Sequence, residues 1–403
     1  MTLDVTLEQL TQQPFELWEQ VRKEQPVFHS DELNMWIVSR YEDVSAVLLE
    51  PNLFTSGRSF DPAKPLPPKV QQVLEGKWAA SLLVNIDQPT HTPIRRAVNR
   101  ALTHKRVENS VDTIRRIANG LLDELYPKGE MDLVAQFSRI FPALVVADIL
   151  GLPADEVPSI LHWGEYFEEI LAGTSPEEEL LVAAQGLVDY QQYFLDAIQA
   201  RLSEPRDDLL TAIAQEFVGN PELDMTMEEI ADVPLAVFTA GHNTTTLAIG
   251  NFVFHMVEYP DRFQPMFDKN GKPSFYDAVD EMLRFESPFP VLRRRVERDT
   301  VVGGVKIPAG ETVMLSLASA NRDDAVFESA GKLDVCRANS KRHLGFGAGI
   351  HFCPGNSLAR REVAIAAELI YERLPNLAVG EYARVNRFVN RGFSRLELTW
   401  DVA

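Results

Sequence analysis

The chain has 403 residues, 45% of them hydrophobic, enough for a sizeable core in one large domain or a few smaller ones. Acidic residues outnumber basic ones 59 to 39, a net charge of -20, which argues against nucleic acid as a main partner because phosphate binding needs a basic surface. Two cysteines rule out a disulfide scaffold, and no window offers about 18 uninterrupted apolar residues for a membrane span. Met1 to Phe15 has neither the basic nor the apolar region of a secretory leader. The expected setting is therefore soluble, reducing and cytoplasmic, without a membrane partner.

In chain order, a short helix is expected around Glu16 to Lys23, then two short strands within Pro26 to Arg40, joined by Ser30-Asp31-Glu32. Tyr41 to Glu50 has helical spacing and stops at Pro51. Phe60 to Ser81 is rich in proline and polar residues and reads as a long, mobile connection. Thr92-Pro93 offers an N-cap and a first-turn proline for a helix to about Leu102. Several helices follow between Ser110 and Gln215, with breaks expected at Pro142, Gly151-Leu152-Pro153 and Ser203-Glu204-Pro205.

Thr226 and Glu229 form a capping box that opens a mostly apolar run to Glu258. That is 32 helical positions, roughly 48 Å at 1.5 Å per residue, and all-round apolarity predicts a buried central helix. Pro234 should leave the Ile230 carbonyl unpaired, so a bend or a late start is expected. Midway, Ala240-Gly241-His242-Asn243-Thr244-Thr245-Thr246 weakens the helix with glycine and hydroxyls. Such a groove can hold a small polar molecule such as dioxygen or water; the alternative is a core helix with back-bonded threonines.

Phe275 to Phe285 reads as a helix on which Glu281 and Arg284 share a face, a pair that in isolation is a surface salt bridge. Thr300 to Leu317 punctuates short strands with turns, and Arg395 to Trp400 alternates with period two. Neither an internal repeat nor a low-complexity tract is present. The total is mainly α with minor β structure.

The densest chemistry lies between His343 and Glu362. Gly345, Gly347 and Gly349 precede Cys353, and Asn356 and Ser357 can open a helix through Arg373 whose N-terminal amides stabilise an anionic sulfur. The pattern suits a thiolate ligand in a shielded site, with glycines making room for something broad and planar. His91, Arg95, Arg294 and His351 are each ordinary cations alone; together they can neutralise the carboxylates of an anionic planar cofactor.

With these stretches in hand, the sequence resembles a soluble, bacterial-type cytochrome P450 over nearly its whole length. Phe346-Gly347-Ala348-Gly349-Ile350-His351-Phe352-Cys353-Pro354-Gly355 is similar to that family's cysteine loop, and Glu281-Met282-Leu283-Arg284 to its Glu-x-x-Arg element. Ala240 to Thr245 resembles most of its oxygen-activation segment, while Asp87-Gln88-Pro89-Thr90-His91 and Ala320-Asn321-Arg322-Asp323 match further stretches in family order. The resemblance implies a single domain over 1–403, β-richer at about 26–60, 300–317 and 380–403, with a long central helix over haem b. It implies Cys353 as the proximal thiolate, with His91, Arg95, Arg294 and His351 as propionate partners and Phe346 and Gly347 beside the sulfur. Glu281 and Arg284 become a buttress of the cysteine loop, with Arg337 as third partner, although Lys332-Leu333 replaces the usual Arg-Phe. Cys336 reads as an ordinary thiol.

One departure matters for chemistry. The family usually has Asp or Glu before the threonine that is Thr244 here; Asn243 can orient water but supplies no proton at neutral pH. Slower proton delivery, a water-mediated relay or leakage to peroxide is expected; His242 is an alternative relay or a core histidine. Arg96, Arg100, Lys105, Arg106, Arg360 and Arg361 fall where the family receives its electron donor, suiting an acidic ferredoxin or flavodoxin and its reductase, fed by NAD(P)H. Leu82, Leu83, Val84, Val237, Phe238, Ala240, Val291, Leu292 and Phe393 are expected pocket walls for a small-to-medium hydrophobic substrate, and Arg293 can meet a carboxylate. The implied activity is that of a monomeric monooxygenase inserting one atom of O2 into a C–H bond or a double bond. A peroxide-using P450 and a non-catalytic haem-thiolate sensor are the alternatives.

Overall fold

The computed structural model describes residues 6–12, 15–57, 59, 62, 65–75, 83–267 and 274–402. The chain divides into two units: the first contains 1–55, 111–142 and 243–403, the second 56–110 and 143–242.

Every strand described belongs to the first unit: β1 (Val27–Ser30), β2 (Met35–Val38), β3 (Phe54–Thr55), β4 (Glu130–Asp132), β5 (Val291–Val296), β6 (Thr300–Val302), β7 (Val305–Ile307), β8 (Thr312–Ser316), β9 (Ala378–Arg384) and β10 (Phe393–Thr399). The main sheet has the order β1-β2-β8-β5-β3, with β2 and β8 parallel and its other pairs antiparallel. Side-chain alternation assigns its two faces. Val27, Val38, Val313 and Leu315 pack with Val44, Val47 and Leu48 of the helix Tyr41–Leu49. Phe28, Ile37, Met314 and Val291 pack instead with Trp18 and Val21 of the helix Phe15–Glu24. Both faces are therefore covered, which explains why these strands are richer in apolar residues than a half-exposed strand. β4-β10-β9 and β6-β7 form the smaller sheets.

The second unit is helical. Within the stretch expected to be a mobile connection lies a helix, Pro68–Leu74, whose Val70 and Leu74 are buried and whose Lys69 pairs with Glu177 at 3.4 Å. The valine–leucine spacing supports a short helix of about two turns once a partner helix, Glu177–Ser203, covers it. The helix predicted from Thr92 begins at His91 and ends at Ala101, as one turn of chain before it is organised by Asp87. The Asp87 carboxylate accepts the backbone N–H groups of Ser56 and Gly57, both at 2.7 Å, and its carbonyl accepts the His91 N–H at 2.9 Å.

The break expected at Pro142 falls earlier. A π-helical turn occupies Val134–Ser138, and Pro142 stands in the first turn of the helix Ile140–Leu150, where its missing N–H costs nothing. Gly151 ends that helix with φ +79, and a Cβ there would meet Asp208 Oδ2 at 2.2 Å. Asp208 is paired with Arg201 at 2.6 Å, and both are buried.

The central helix runs Met227–Glu258 with both bonds of its capping box in place: Glu229 N–H to Thr226 Oγ1 at 3.2 Å, and Thr226 N–H to Glu229 Oε2 at 2.8 Å. It does not start late; Pro234 is carried inside it, buried between Val233 and Leu235. Among the described residues no helix is long and apolar enough to cross a membrane.

Candidate active site

The helix Phe275–Phe285 is buried at every position from Ala278 onward, which makes its Glu-x-x-Arg pair a core feature. Glu281 and Arg284 have fully buried side chains joined by two bonds, Nε to Oε2 at 2.7 Å and Nη2 to Oε1 at 2.8 Å. Read alone, this spacing suggested a surface pair; tertiary burial reverses that, and a desolvated bidentate pair is costly to break. Arg337 joins them, its Nε 3.1 Å from Glu281 Oε2. Arg284 also donates to the carbonyls of Asn321, Ala330 and Lys332, and Arg337 to those of Glu328 and Lys332. The trio therefore organises the irregular segment 321–337, despite Lys332-Leu333 in place of the usual residues.

Cys353 follows that segment, half-buried, at the start of the 18-residue helix Asn356–Arg373. Its N–H donates to the Phe346 carbonyl at 2.9 Å, and its own carbonyl accepts from Asn356 Nδ2 at 2.8 Å. The three glycines before it have different causes. At Gly345 a Cβ would crowd His343 Nδ1 at 2.9 Å and Ser287 Oγ at 3.0 Å; at Gly349, with φ +67, it would meet the Leu48 carbonyl at 2.5 Å. Those two are glycine because protein packs against them, which corrects the expectation that all three make room for a ligand. Gly347, with φ +70, is not crowded: the nearest described atom to a Cβ there is the His351 carbonyl at 3.8 Å, an ordinary contact. His351 is half-buried within the loop, and Arg294 is buried on β5, donating to the Arg293 carbonyl at 2.7 Å.

Within the second unit, His91 is buried and Arg95 half-buried one turn further along the same helix. Burial, then the Arg95 charge, pushes the His91 imidazole below its ordinary value, with Asp87 opposing.

The middle of the central helix is where its burial stops. Leu235 and Phe238 are buried and so is the run from Thr245 to Met256, but Ala240 is exposed and Val237, Gly241, His242, Asn243 and Thr244 are half-buried. Val237, Ala240, Gly241 and Thr244 share one helical face, giving an accessible window in an otherwise buried helix. The Thr246 hydroxyl donates at 2.8 Å to the Ser138 carbonyl of the π-helical turn. His242 Nδ1 lies 3.1 Å from the Phe238 carbonyl, so this histidine is back-bonded to its own helix.

Of the expected pocket walls, Leu82 lies outside the described residues. Leu83, Val84, Val237 and Leu292 are half-buried and Ala240 exposed, whereas Phe238, Val291 and Phe393 are buried. Phe393 is enclosed by Phe254, Tyr382 and the Arg384 guanidinium 3.9 Å above its ring, and a Cβ on Gly250 would sit 3.5 Å from it. It is a core residue, and its strand position alone could not reveal that cover.

The expected donor-facing cations are mostly engaged. Arg96 pairs with Glu222 at 3.4 Å, Arg100 with Glu216 at 2.5 Å and Arg106 with Asp207 at 3.9 Å, while Lys105 is exposed. Exposed pairs of this kind are weak and leave the cations exchangeable. Arg361 stacks on Tyr276 at 4.4 Å. Arg360 is different: its Nε binds buried Asp280 at 2.8 Å, which turns it inward.

Sequence reasoning missed Asp280, His343 and Glu362. Asp280 carries two partners, His343 Nε2 at 3.0 Å and Arg360; burial pushes its carboxyl up, but those partners outweigh it and hold it below the usual range. Glu362 is 1% exposed with the Thr245 hydroxyl facing it, and burial holds its carboxyl well above the usual range. Its signal was present in the sequence: it falls on the same helical face as Leu358, Ile365 and Ala366.

A half-buried cysteine just before a helix N-terminus, with an uncrowded Gly347 in its loop and the buried Arg294 and half-buried His351 in the same unit, is the donor set of a haem-thiolate protein, and the residues present fit that group. The cytochrome P450 family model matches residues 5–267 and 274–374. The chain is 34% identical to mycinamicin IV hydroxylase/epoxidase of Micromonospora griseorubida, covering 86% of this chain and 83% of that protein. It is 31% identical to vitamin D(3) 25-hydroxylase of Pseudonocardia autotrophica, covering 91% and 88%. The solved structure of cytochrome P450 CREJ in complex with (4-ethylphenyl) dihydrogen phosphate superposes with a TM-score of 0.89 at 26% identity, covering 99% of both chains. This chain belongs to the cytochrome P450 family. It has that family's mainly helical fold with small sheets, and it is an oxidoreductase of the monooxygenase class that uses haem b, O2, an organic substrate and electron-supplying partners.

Proposed function

We propose that this P450 inserts one oxygen atom into a small-to-medium hydrophobic molecule by C–H hydroxylation or epoxidation, with Cys353 as the haem ligand. The observation that carries the reading is the Cys353 loop, held at the residue's N–H and carbonyl, with the cysteine half-buried and Gly347 uncrowded in the same loop. Bound there, haem would supply the oxygen activation, which a thiolate ligand favours by donating electron density. Arg294 and His351, in the same unit as Cys353, would hold its propionates by charge-assisted bonds. Val237 and Ala240, with Leu83 and Val84 of the same unit, would offer an apolar surface to the substrate and exclude water from it. The names of the two relatives, a hydroxylase/epoxidase and a hydroxylase, support the reaction type.

The Thr244 hydroxyl can both accept and donate a proton, whereas the Asn243 amide can only orient a water beside it. That substitution favours a second reading, peroxide use, as a specific alternative. A ferredoxin or flavodoxin with its reductase, drawing on NAD(P)H, is the donor that Arg96, Arg100, Lys105 and Arg106 would suit. The family match over residues 5–267 and 274–374, which reaches into both units, supports one catalytic domain.

The test has two parts. A reduced, CO-bound sample should show the red-shifted Soret band of thiolate haem, and its absence would falsify the assignment of Cys353. A library of apolar compounds should then be screened for the spin-state shift that follows water displacement. Hits turned over with reductase and ferredoxin support the monooxygenase; turnover with peroxide alone supports the second reading.

A further inference from the structure

One carboxylate oxygen connects both ends of the cysteine loop. Asp280 precedes Glu281 on the helix Phe275–Phe285 and is 1% exposed. Its Oδ1 accepts from His343 Nε2 at 3.0 Å and from Arg360 Nε at 2.8 Å. His343 opens the loop; its Nδ1 accepts the Gly345 N–H at 3.0 Å, which leaves the ring proton on Nε2, facing Asp280. Arg360 closes the loop from the far side. Its Nη1 donates to Asn356 Oδ1 at 2.6 Å, and Asn356 Nδ2 donates to the Cys353 carbonyl at 2.8 Å. The same guanidinium lies 4.5 Å above the ring of Phe346, whose carbonyl accepts the Cys353 N–H.

The Glu281–Arg284–Arg337 trio makes no such direct contact among the bonds described; it binds segment 321–337. Asp280 and Arg360 thus form a separate support, a largely buried pair of opposite charges linked through Asn356 and Phe346 to the Cys353 backbone. Such charges act on a metal centre through its ligand.

We propose that Asp280 and Arg360 are positioning residues for the Cys353 thiolate, and that they set, with opposite sign, the potential at which the bound haem takes up one electron. This rests on Cys353 being the haem ligand. Removing the anion should favour the reduced state, and removing the cation should disfavour it.

The experiment is a reductive titration of purified holoprotein with a mediator dye as one-electron donor. Asp280→Asn should shift the equilibrium about tenfold toward reduction, or roughly 59 mV, and Arg360→Gln by a similar factor the other way. The double variant should return near the parent. Loosening of the fold would move both single variants in the same direction; that result, or shifts below about twofold, overturns the proposal. If Asp280→Asn does not retain haem, Arg360→Gln and Arg360→Lys decide: a shift in the first that the second restores supports the proposal, and equal behaviour overturns it. CO spectra of the same samples keep the two readings apart. A parent without the red-shifted band refutes the ligand assignment, whereas an intact band with unshifted potentials refutes only the role of Asp280 and Arg360.

Discussion

Cys353 is held through its own N–H and carbonyl, by a loop whose supports come from the helices Phe275–Phe285 and Asn356–Arg373. Asn243 and Thr244 stand instead in a window of the central helix, where the backbone sets their position and the identity of each side chain sets what can be done there. The first arrangement spreads its function over buried, mutually satisfied charges. The second concentrates it in one or two groups that face accessible space. Substitutions should therefore act on assembly and stability at the loop, and on proton delivery with little loss of stability at the window.

The largest expected effect is at the loop's centre. Cys353→Ser should abolish the red-shifted CO band and turnover with reductant together, since a hydroxyl does not replace the thiolate; a retained band would show that the loop is not the ligand site. Next is Arg284→Ala, which leaves Glu281 buried without its bidentate partner and should cost about 3–5 kcal/mol in urea denaturation. The exposed pair Arg96–Glu222 provides the contrast: Arg96→Ala should cost no more than about 1 kcal/mol. Equal losses would mean that the buried pair holding segment 321–337 is no stronger than a surface pair.

Glu362, under Thr245, gives the comparison a pH axis. Its folded carboxyl keeps the proton above the ordinary value of 4.5, while the unfolded chain releases it there. The folded state then binds more protons, so stability should fall by about 1.4 kcal/mol per pH unit above that value until the folded group titrates. Below it no difference is expected. Glu362→Gln should remove this slope, and parallel pH profiles for parent and variant would contradict the assignment.

The smallest expected effect is the most diagnostic for the window. Asn243→Asp should change product formed per electron severalfold, against the full 10²–10⁴ of a general acid, with the unfolding midpoint close to the parent's. Unchanged coupling would sink the idea that the amide limits proton delivery.

Much of the fold was legible because local rules and tertiary context agree. Thr226 and Glu229 cap the central helix as their spacing requires, and Phe275–Phe285 and Asn356–Arg373 have the bounds that periodicity sets. Pro142 and the stretch around Pro68 misled because proline marks a helix's first turn as readily as its end. Phe393 and Arg360 misled because which neighbour covers a side chain is not written in its own segment.

By itself the sequence determined the long central helix, the helices Phe275–Phe285 and Asn356–Arg373, the strands within 26–40 and 300–317, the cysteine between glycines and a polar interruption in an apolar helix, all set by spacing within one segment. Only the tertiary structure decided that Glu281 and Arg284 are buried, that Gly345 and Gly349 yield to protein while Gly347 is uncrowded, and that Asp280 reaches both ends of the loop. Those outcomes depend on desolvation and on contacts between residues tens to hundreds of positions apart, and neither is a property of any local stretch of chain.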